Sequence, residues 1–137
     1  MEINELKIGN YVKFYDPING INIYKVYDIY DSGSVSLNDK GRLASCTVKD
    51  IEPIELTEEV LVKIGFKKKN DCYVLQNEYI FFVYYKDSFK QELLASAKRK
   101  GKYYYNTNEL KNYDIKYLHE LQNAYYCLTG EELEVEL

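Results

Sequence analysis

The chain has 137 residues, 46% of them hydrophobic and 29% charged, enough for one ordinary domain or one core with two lobes and too few for two large domains. A net charge of −4 and a pI near 5.1 argue against duplex-DNA binding, whose affinity comes from neutralising phosphates. No apolar run approaches the ~20 residues of a membrane helix, and Met1-Glu2-Ile3-Asn4-Glu5 lacks the basic-then-apolar form of a signal peptide, so the expected location is cytoplasmic.

A run of short strands opens at Ile8-Gly9-Asn10-Tyr11-Val12-Lys13-Phe14-Tyr15, and Asp16-Pro17-Ile18-Asn19-Gly20 supplies turn chemistry. Ile21, Ile23, Lys25, Tyr27 and Ile29 then alternate with Asn22, Tyr24, Val26, Asp28 and Tyr30. Both faces carry large apolar groups, which predicts a central strand. Turns at Asp31-Ser32-Gly33 and Asn38-Asp39-Lys40-Gly41 lead into strands over 34–37 and 42–48, with a fifth over 49–54. Residues 1–56 are thus expected to form an SH3-like small β-barrel or curled sheet, which leaves few exposed edges.

Residues 57–137 are expected to form an α+β lobe, making the whole α+β. Thr57 caps a short helix, Glu58 and Glu59 sit where its dipole favours negative charge, Val60, Leu61 and Ile64 form its buried stripe, and Gly65 ends it. Residues 66–85 return to β pattern as three antiparallel strands, the last apolar throughout. Over 88–97 the signals conflict. Ser88 followed by Gln91 is a capping-box pattern, and Phe89, Leu93, Leu94 and Ala97 share a helix face; the same residues also suit a strand, and helix is preferred. Lys98 to Lys102 reads as a turn, Tyr103 to Tyr105 as a short strand, and Thr107 to Asn112 as a polar connector.

The strongest element lies near the end. Tyr117, Leu118, Leu121, Ala124, Tyr125 and Leu128 fall on one side of a helix over 114–130, with Asp114 as its cap and Gly130 as its stop. This helix is expected to pack the second sheet. The alternating Glu131 to Leu137 then suits an edge strand guarded by glutamates. Cys46, Cys72 and Cys127 form no C-x-x-C pair, and the single histidine cannot complete a metal set, so reduced thiols, no metal and no cofactor are expected. Cys127, beside the apolar side of the terminal helix, is expected to be buried.

Several segments resemble a large family of small uncharacterised proteins from gut Bacteroidetes and their phages. They are Leu6-Lys7-Ile8-Gly9-Asn10-Tyr11-Val12, the stretch Ile51-Glu52-Pro53-Ile54-Glu55-Leu56-Thr57-Glu58-Glu59 with Ile64-Gly65-Phe66, and Ile115 to Asn123 running through Leu128-Thr129-Gly130-Glu131-Glu132-Leu133. The resemblance spans nearly the whole chain in the same order. Val60 and Leu61 stand where the family carries tryptophan and leucine, a packing change. The resemblance implies no activity, but a phage setting suits capture of a host protein or of a nucleotide signal used in host defence.

Four constellations could carry binding. Lys98, Arg99, Lys100 and Lys102 run into Tyr103, Tyr104 and Tyr105; cations neutralise phosphate and phenol rings stack on bases, though the same residues also suit a solvated hairpin tip. On the polar side of the terminal helix, Lys116, His119, Gln122, Asn123 and Tyr126 could converge on a ligand, or His119 could be a structural hydrogen-bonder. Among 16 tyrosines, Tyr11, Tyr15, Tyr24, Tyr27 and Tyr30 lie in the first sheet and suit a partner surface or homodimer. Lys67, Lys68 and Lys69 could join the other basic cluster or form a solvated edge.

No phosphate loop, nucleophile elbow or H-E-x-x-H motif is present. The expectation is a non-enzymatic binding protein. Its ligand would be nucleotide-like, held by Lys98, Arg99, Lys100, Lys102, Tyr103 and Tyr105 with His119, Gln122 and Asn123. The alternative is a protein adaptor or inhibitor that uses the tyrosine-rich sheet to hold a host protein.

Overall fold

The computed structural model describes residues 1–18, 20–70, 72–76, 80–86, 91–99, 102–103 and 111–137; the side chains of 76, 80–82, 85–86, 91–99, 102–103, 111–114 and 128 lie outside the description. The protein is α+β and divides into two units. One comprises Met1–Glu55 with Tyr117–Ala124, the other Leu56–Lys116 with Tyr125–Leu137. None of the described helices is long and apolar enough to cross a membrane.

The first unit is built on five antiparallel strands, β1 (Tyr11–Asp16), β2 (Gly20–Ile29), β3 (Ser34–Asp39), β4 (Arg42–Thr47) and β5 (Ile51–Glu52), in the order β4-β3-β2-β1-β5. The sheet is open and not a closed barrel, since its path begins at β4 and ends at β5. Turn chemistry sets the register. Asp16 Oδ1 accepts the Ile18 N–H at 2.8 Å. Lys40 and Gly41 take successive positive φ values of 50° and 93°, the two-residue turn whose twist matches a hairpin.

Pairs such as Val12↔Tyr24 and Val26↔Leu37 place alternate residues on an inner face, where Leu6, Val12, Tyr24, Val26, Val35, Leu37 and Ile51 form the core. Phe14 meets Tyr24 edge-on at 5.5 Å. Simple alternation along β2 would put Ile29 with Ile21 and Tyr27 on the other face. A bulge between Val26 and Asp28 inserts Tyr27 and turns Ile29 inward against the core. The expected central strand is central, but its two faces differ: Tyr24 and Val26 are buried, whereas Ile21 is 66% and Tyr27 60% exposed.

The second unit begins with α1 (Glu58–Lys63). Thr57 Oγ1 accepts the Val60 N–H at 3.2 Å, and Leu61, Ile64 and Phe66 are buried. Gly65 ends the helix at φ 105°. The strands β6 (Lys67–Lys69), β7 (Cys72–Gln76), β8 (Ile80–Lys86), β9 (Gln91–Arg99) and β10 (Lys102–Tyr103) follow one another across a sheet, and β11 (Lys111–Asp114) pairs with β9. The fully buried Tyr84 donates its hydroxyl to the Ile115 carbonyl at 3.2 Å, which answers how a core phenol is satisfied.

Several expectations need correction. The stretch expected as a helix over 88–97 is strand from Gln91 onward; Ser88 and Phe89 lie outside the described residues. Its helix formers are overridden by the ladder to β8, which runs from Ile80↔Ala97 to Lys86↔Gln91. Lys111 and Asn112 belong to β11 and not to a connector. Asp114 is also part of β11, so it does not cap the terminal helix. That helix, α2 (Leu118–Thr129), starts later, and the Leu118 N–H is taken by the Ile54 carbonyl at 2.8 Å. Its end is as expected, with Gly130 at φ 74°. Residues 132–137 form no strand. Cys127 is exposed, because the buried stripe of Leu118, Leu121 and Tyr125 lies on another side of the helix.

Candidate functional site

The polar residues of α2 do not form an open binding face. The buried surface of the helix is wider than its apolar stripe, since His119 and Gln122 are buried as well. Gln122 Oε1 accepts the Tyr11 N–H at 2.9 Å, and its Nε2 donates to the Gly9 carbonyl at 3.1 Å. Asn123 Oδ1 accepts from Asn10 Nδ2 at 2.9 Å, and its Nδ2 donates to the Glu5 carbonyl at 2.9 Å. Asn10 in turn uses its Oδ1 to accept the Lys7 N–H at 2.8 Å. Two consecutive helix amides thus bind the segment that leads into β1. Gln122 and Asn123, expected to hold a ligand, hold the chain's own backbone.

This clamp joins Gly9-Asn10-Tyr11 to Gln122-Asn123. Sequence reasoning placed both amides on the helix's polar side. It missed their partners, which lie more than a hundred positions away. The usable signal was the pair itself: two neighbouring amides beside an otherwise apolar stripe are well suited to satisfy backbone groups that a strand ladder leaves over.

His119 is different. Its residue is 1% exposed, and among the described residues neither ring nitrogen has a hydrogen-bond partner. Glu5 Oε2 lies 3.8 Å from Nε2, too far for a hydrogen bond. The ring stacks on Tyr117 with centroids 5.9 Å apart and planes at 13°. Burial pushes its pKa below 6.5; Glu5 opposes that shift and the Met1 amino group adds to it. The imidazole is therefore neutral at pH 7. It lines a cavity of about 340 Å³ together with Met1, Glu5, Pro53, Tyr117 and Glu120.

The basic cluster is placed by its backbone. The β9–β10 register sets Lys98 opposite Tyr103 and Arg99 opposite Lys102; Lys100, Tyr104 and Tyr105 lie outside the described residues. Lys67, Lys68 and Lys69 form β6 at the other edge of the same sheet, so the two basic groups do not join across it. All three are exposed, and Lys68 Nζ lies 3.6 Å from Glu58 Oε1.

The tyrosines of the first sheet separate by face. Tyr24 is buried, Tyr11 is half-buried with Lys25 Nζ 5.8 Å from its ring centre, and Tyr15, Tyr27 and Tyr30 are exposed. The pair Tyr15↔Ile21 stands on the outer face, 61% and 66% exposed. Leu43 on the edge strand β4 is 72% exposed. Elsewhere, burial pushes the Cys46 thiol up to about 11, so it stays protonated. Cys72 donates its thiol to the Lys69 carbonyl at 3.2 Å. Among the described residues, no group of three His, Cys, Asp or Glu side chains is set to hold a metal ion.

Comparison of the chain with protein-family models, with curated proteins and with solved structures gives no match.

Proposed function

We propose that the protein is a non-enzymatic binding module that holds a partner protein on the outer face of its first sheet. The observation that carries this reading is the exposed set Tyr15, Ile21, Tyr27 and Leu43 on a sheet whose opposite face already forms a complete core. Large rings and branched chains on a rigid sheet bury much area on contact and lose few rotors, while phenol tips accept and donate hydrogen bonds at the rim. The partner is a host protein presenting apolar side chains, in keeping with the resemblance to proteins of Bacteroidetes and their phages. The strand order β4-β3-β2-β1-β5, with a 3-10 turn at Val48–Asp50 before β5 returns to β1, supports reading this unit as SH3-like.

The test is capture from host lysate by the wild type and by a Tyr15→Ser, Ile21→Ser, Tyr27→Ser variant. A partner retained by the first and lost by the second, at unchanged melting temperature, supports the reading. Equal capture by both overturns it, and a dimer broken by the same variant assigns the face to a second copy.

A second reading, sequestration of a nucleotide-type molecule, is favoured by the register that sets Lys98 opposite Tyr103 and Arg99 opposite Lys102. It predicts that a bound nucleotide at ~100 times its Kd raises stability by roughly 2.7 kcal/mol. The shift would disappear in a Lys98→Ala, Arg99→Ala, Lys102→Ala variant and weaken with salt. No shift across mononucleotides, cyclic oligonucleotides and ADP-ribose derivatives rejects it.

A further inference from the structure

The edge of the first sheet at β4 carries backbone groups that its own chain does not use. Among the described residues β4 pairs on one side only, with β3. Their register closes at Asp39↔Arg42 across a two-residue turn, and the pair flanking such a turn exchanges both of its backbone hydrogen bonds. Bonded and non-bonded pairs alternate from there. Arg42, Ala44 and Cys46 therefore bond to β3, while Leu43, Ser45 and Thr47 direct their N–H and C=O groups outward. Two contacts agree with that phase: Asp50 Oδ2 accepts the Thr47 N–H at 2.9 Å, and the Ser34 carbonyl, opposite Thr47, accepts the Tyr30 N–H at 2.9 Å. Leu43 and Ser45 are both exposed, and their outward groups meet no partner among the described residues.

Sheets commonly guard such an edge with lysine or proline. Residues 42–47 contain neither, Arg42 is paired with Asp39, and Leu43 stands 72% exposed. The open stretch is short, bounded by the turn at Gly41 and by the Asp50 carboxylate on Thr47. A flexible peptide would have to be ordered for the bonds of two residues, whereas a second copy of the chain brings a strand already formed. The edge is also self-complementary. Antiparallel pairing about a two-fold axis through Ala44 sets Leu43 of each copy opposite Ser45 of the other, so every outward group of these residues finds a partner. The same register puts the two Leu43 side chains diagonally beside each other on the outer face, within reach of contact. At each end it sets Thr47 opposite Gly41, which brings the Lys40 turn of one copy toward Asp50 of the other, opposite charges repeated by symmetry. We propose that β4 is a dimerisation edge, through which two copies join in this register as one continuous sheet. Tyr15, Ile21 and Tyr27 stand on β1 and β2, so the dimer leaves them uncovered and forms whether or not a partner protein binds there.

An interface of this size is small, so the expected Kd lies between about 1 µM and 1 mM. Sedimentation of the full chain up to ~1 mM should show monomer passing into dimer. Amide hydrogen exchange reads the register. The Leu43 and Ser45 N–H groups are open to water in the monomer and should slow about fivefold or more as the dimer fills, whereas the Thr47 N–H, already bonded to Asp50, should not change. Leu43→Lys should weaken dimerisation about tenfold or more at unchanged melting temperature, because the side chain is exposed in the monomer. Ser45→Pro removes an N–H that the monomer does not use and should act alike. Monomer throughout the range overturns the proposal. So does a dimer whose Leu43 and Ser45 amides exchange as fast as in the monomer, or one that survives both substitutions. A dimer lost only in the Tyr15→Ser, Ile21→Ser, Tyr27→Ser variant assigns the contact to the outer face and overturns the β4 edge. The exchange readout uses the unaltered chain, so it decides even where a variant fails to fold.

Discussion

Gln122 and His119 stand one turn apart on the same helix, both buried and both polar, yet only one is satisfied. Both the oxygen and the nitrogen of the Gln122 amide meet a backbone partner, whereas the His119 ring meets none among the described residues. Burial alone therefore does not separate a structural polar residue from a candidate binding residue; partner accounting does. A buried amide that closes two backbone bonds belongs to the fold. A buried ring with both nitrogens unused weakens it.

The largest expected effect tests the satisfied side. Gln122→Leu keeps the volume but leaves the Tyr11 N–H and the Gly9 carbonyl without partners, at a cost of about 3 kcal/mol by urea denaturation. A change under ~0.5 kcal/mol would show that water replaces the amide and would break the contrast. Next comes the neighbouring pair. Asn10→Ala and Asn123→Ala should each cost about 1.5 kcal/mol, and the double variant should cost less than their sum, because one bond is shared. Strict additivity would show that the bond between them contributes nothing.

The unsatisfied side gives the smallest change. His119→Leu removes a buried polar group that has no partner among the described residues, so stability at pH 7 should rise, by about 1 kcal/mol. The pH dependence is more telling. A folded-state pKa below 6.5 means that the unfolded chain takes the proton first as pH falls. This contribution is fully present above about pH 6.5 and is lost progressively as pH drops through the folded-state value. The wild type should therefore lose stability relative to His119→Leu between pH 7 and pH 5. Parallel curves for the two proteins would place the ring in water.

How far the sequence foretold this depended on whether the deciding forces were local. Turn and cap signals are local, and they located β1 to β5, the Thr57 cap and the Gly130 stop. The β2 bulge was hidden, since only pairing with β3 shows that Tyr27 is the extra residue. The residues of β9 favour helix by themselves and were captured by the strand ladder of β8. Asp114 looked like a cap because no local feature announces that β11 takes it. At the candidate site, the sequence marks His119 by its chemistry, but whether the ring is satisfied depends on Glu5, which lies far off in the chain and stops 3.8 Å short. Gln122 and Asn123 carry the same kind of signal, and the distant chain they grip gives them the opposite role.

The assignment of Tyr117–Ala124 to the first unit has a consequence for the order of events during synthesis. Residues 1–55 leave the ribosome about 60 residues ahead of the helical turn that carries Gln122 and Asn123, a lag of several seconds at ~5–20 residues per second. Throughout that interval the Gly9 carbonyl and Tyr11 N–H have only water to bond. The nascent sheet is thus held incomplete until residues 122 and 123 arrive, and completion of the first unit reports that translation has passed residue 123.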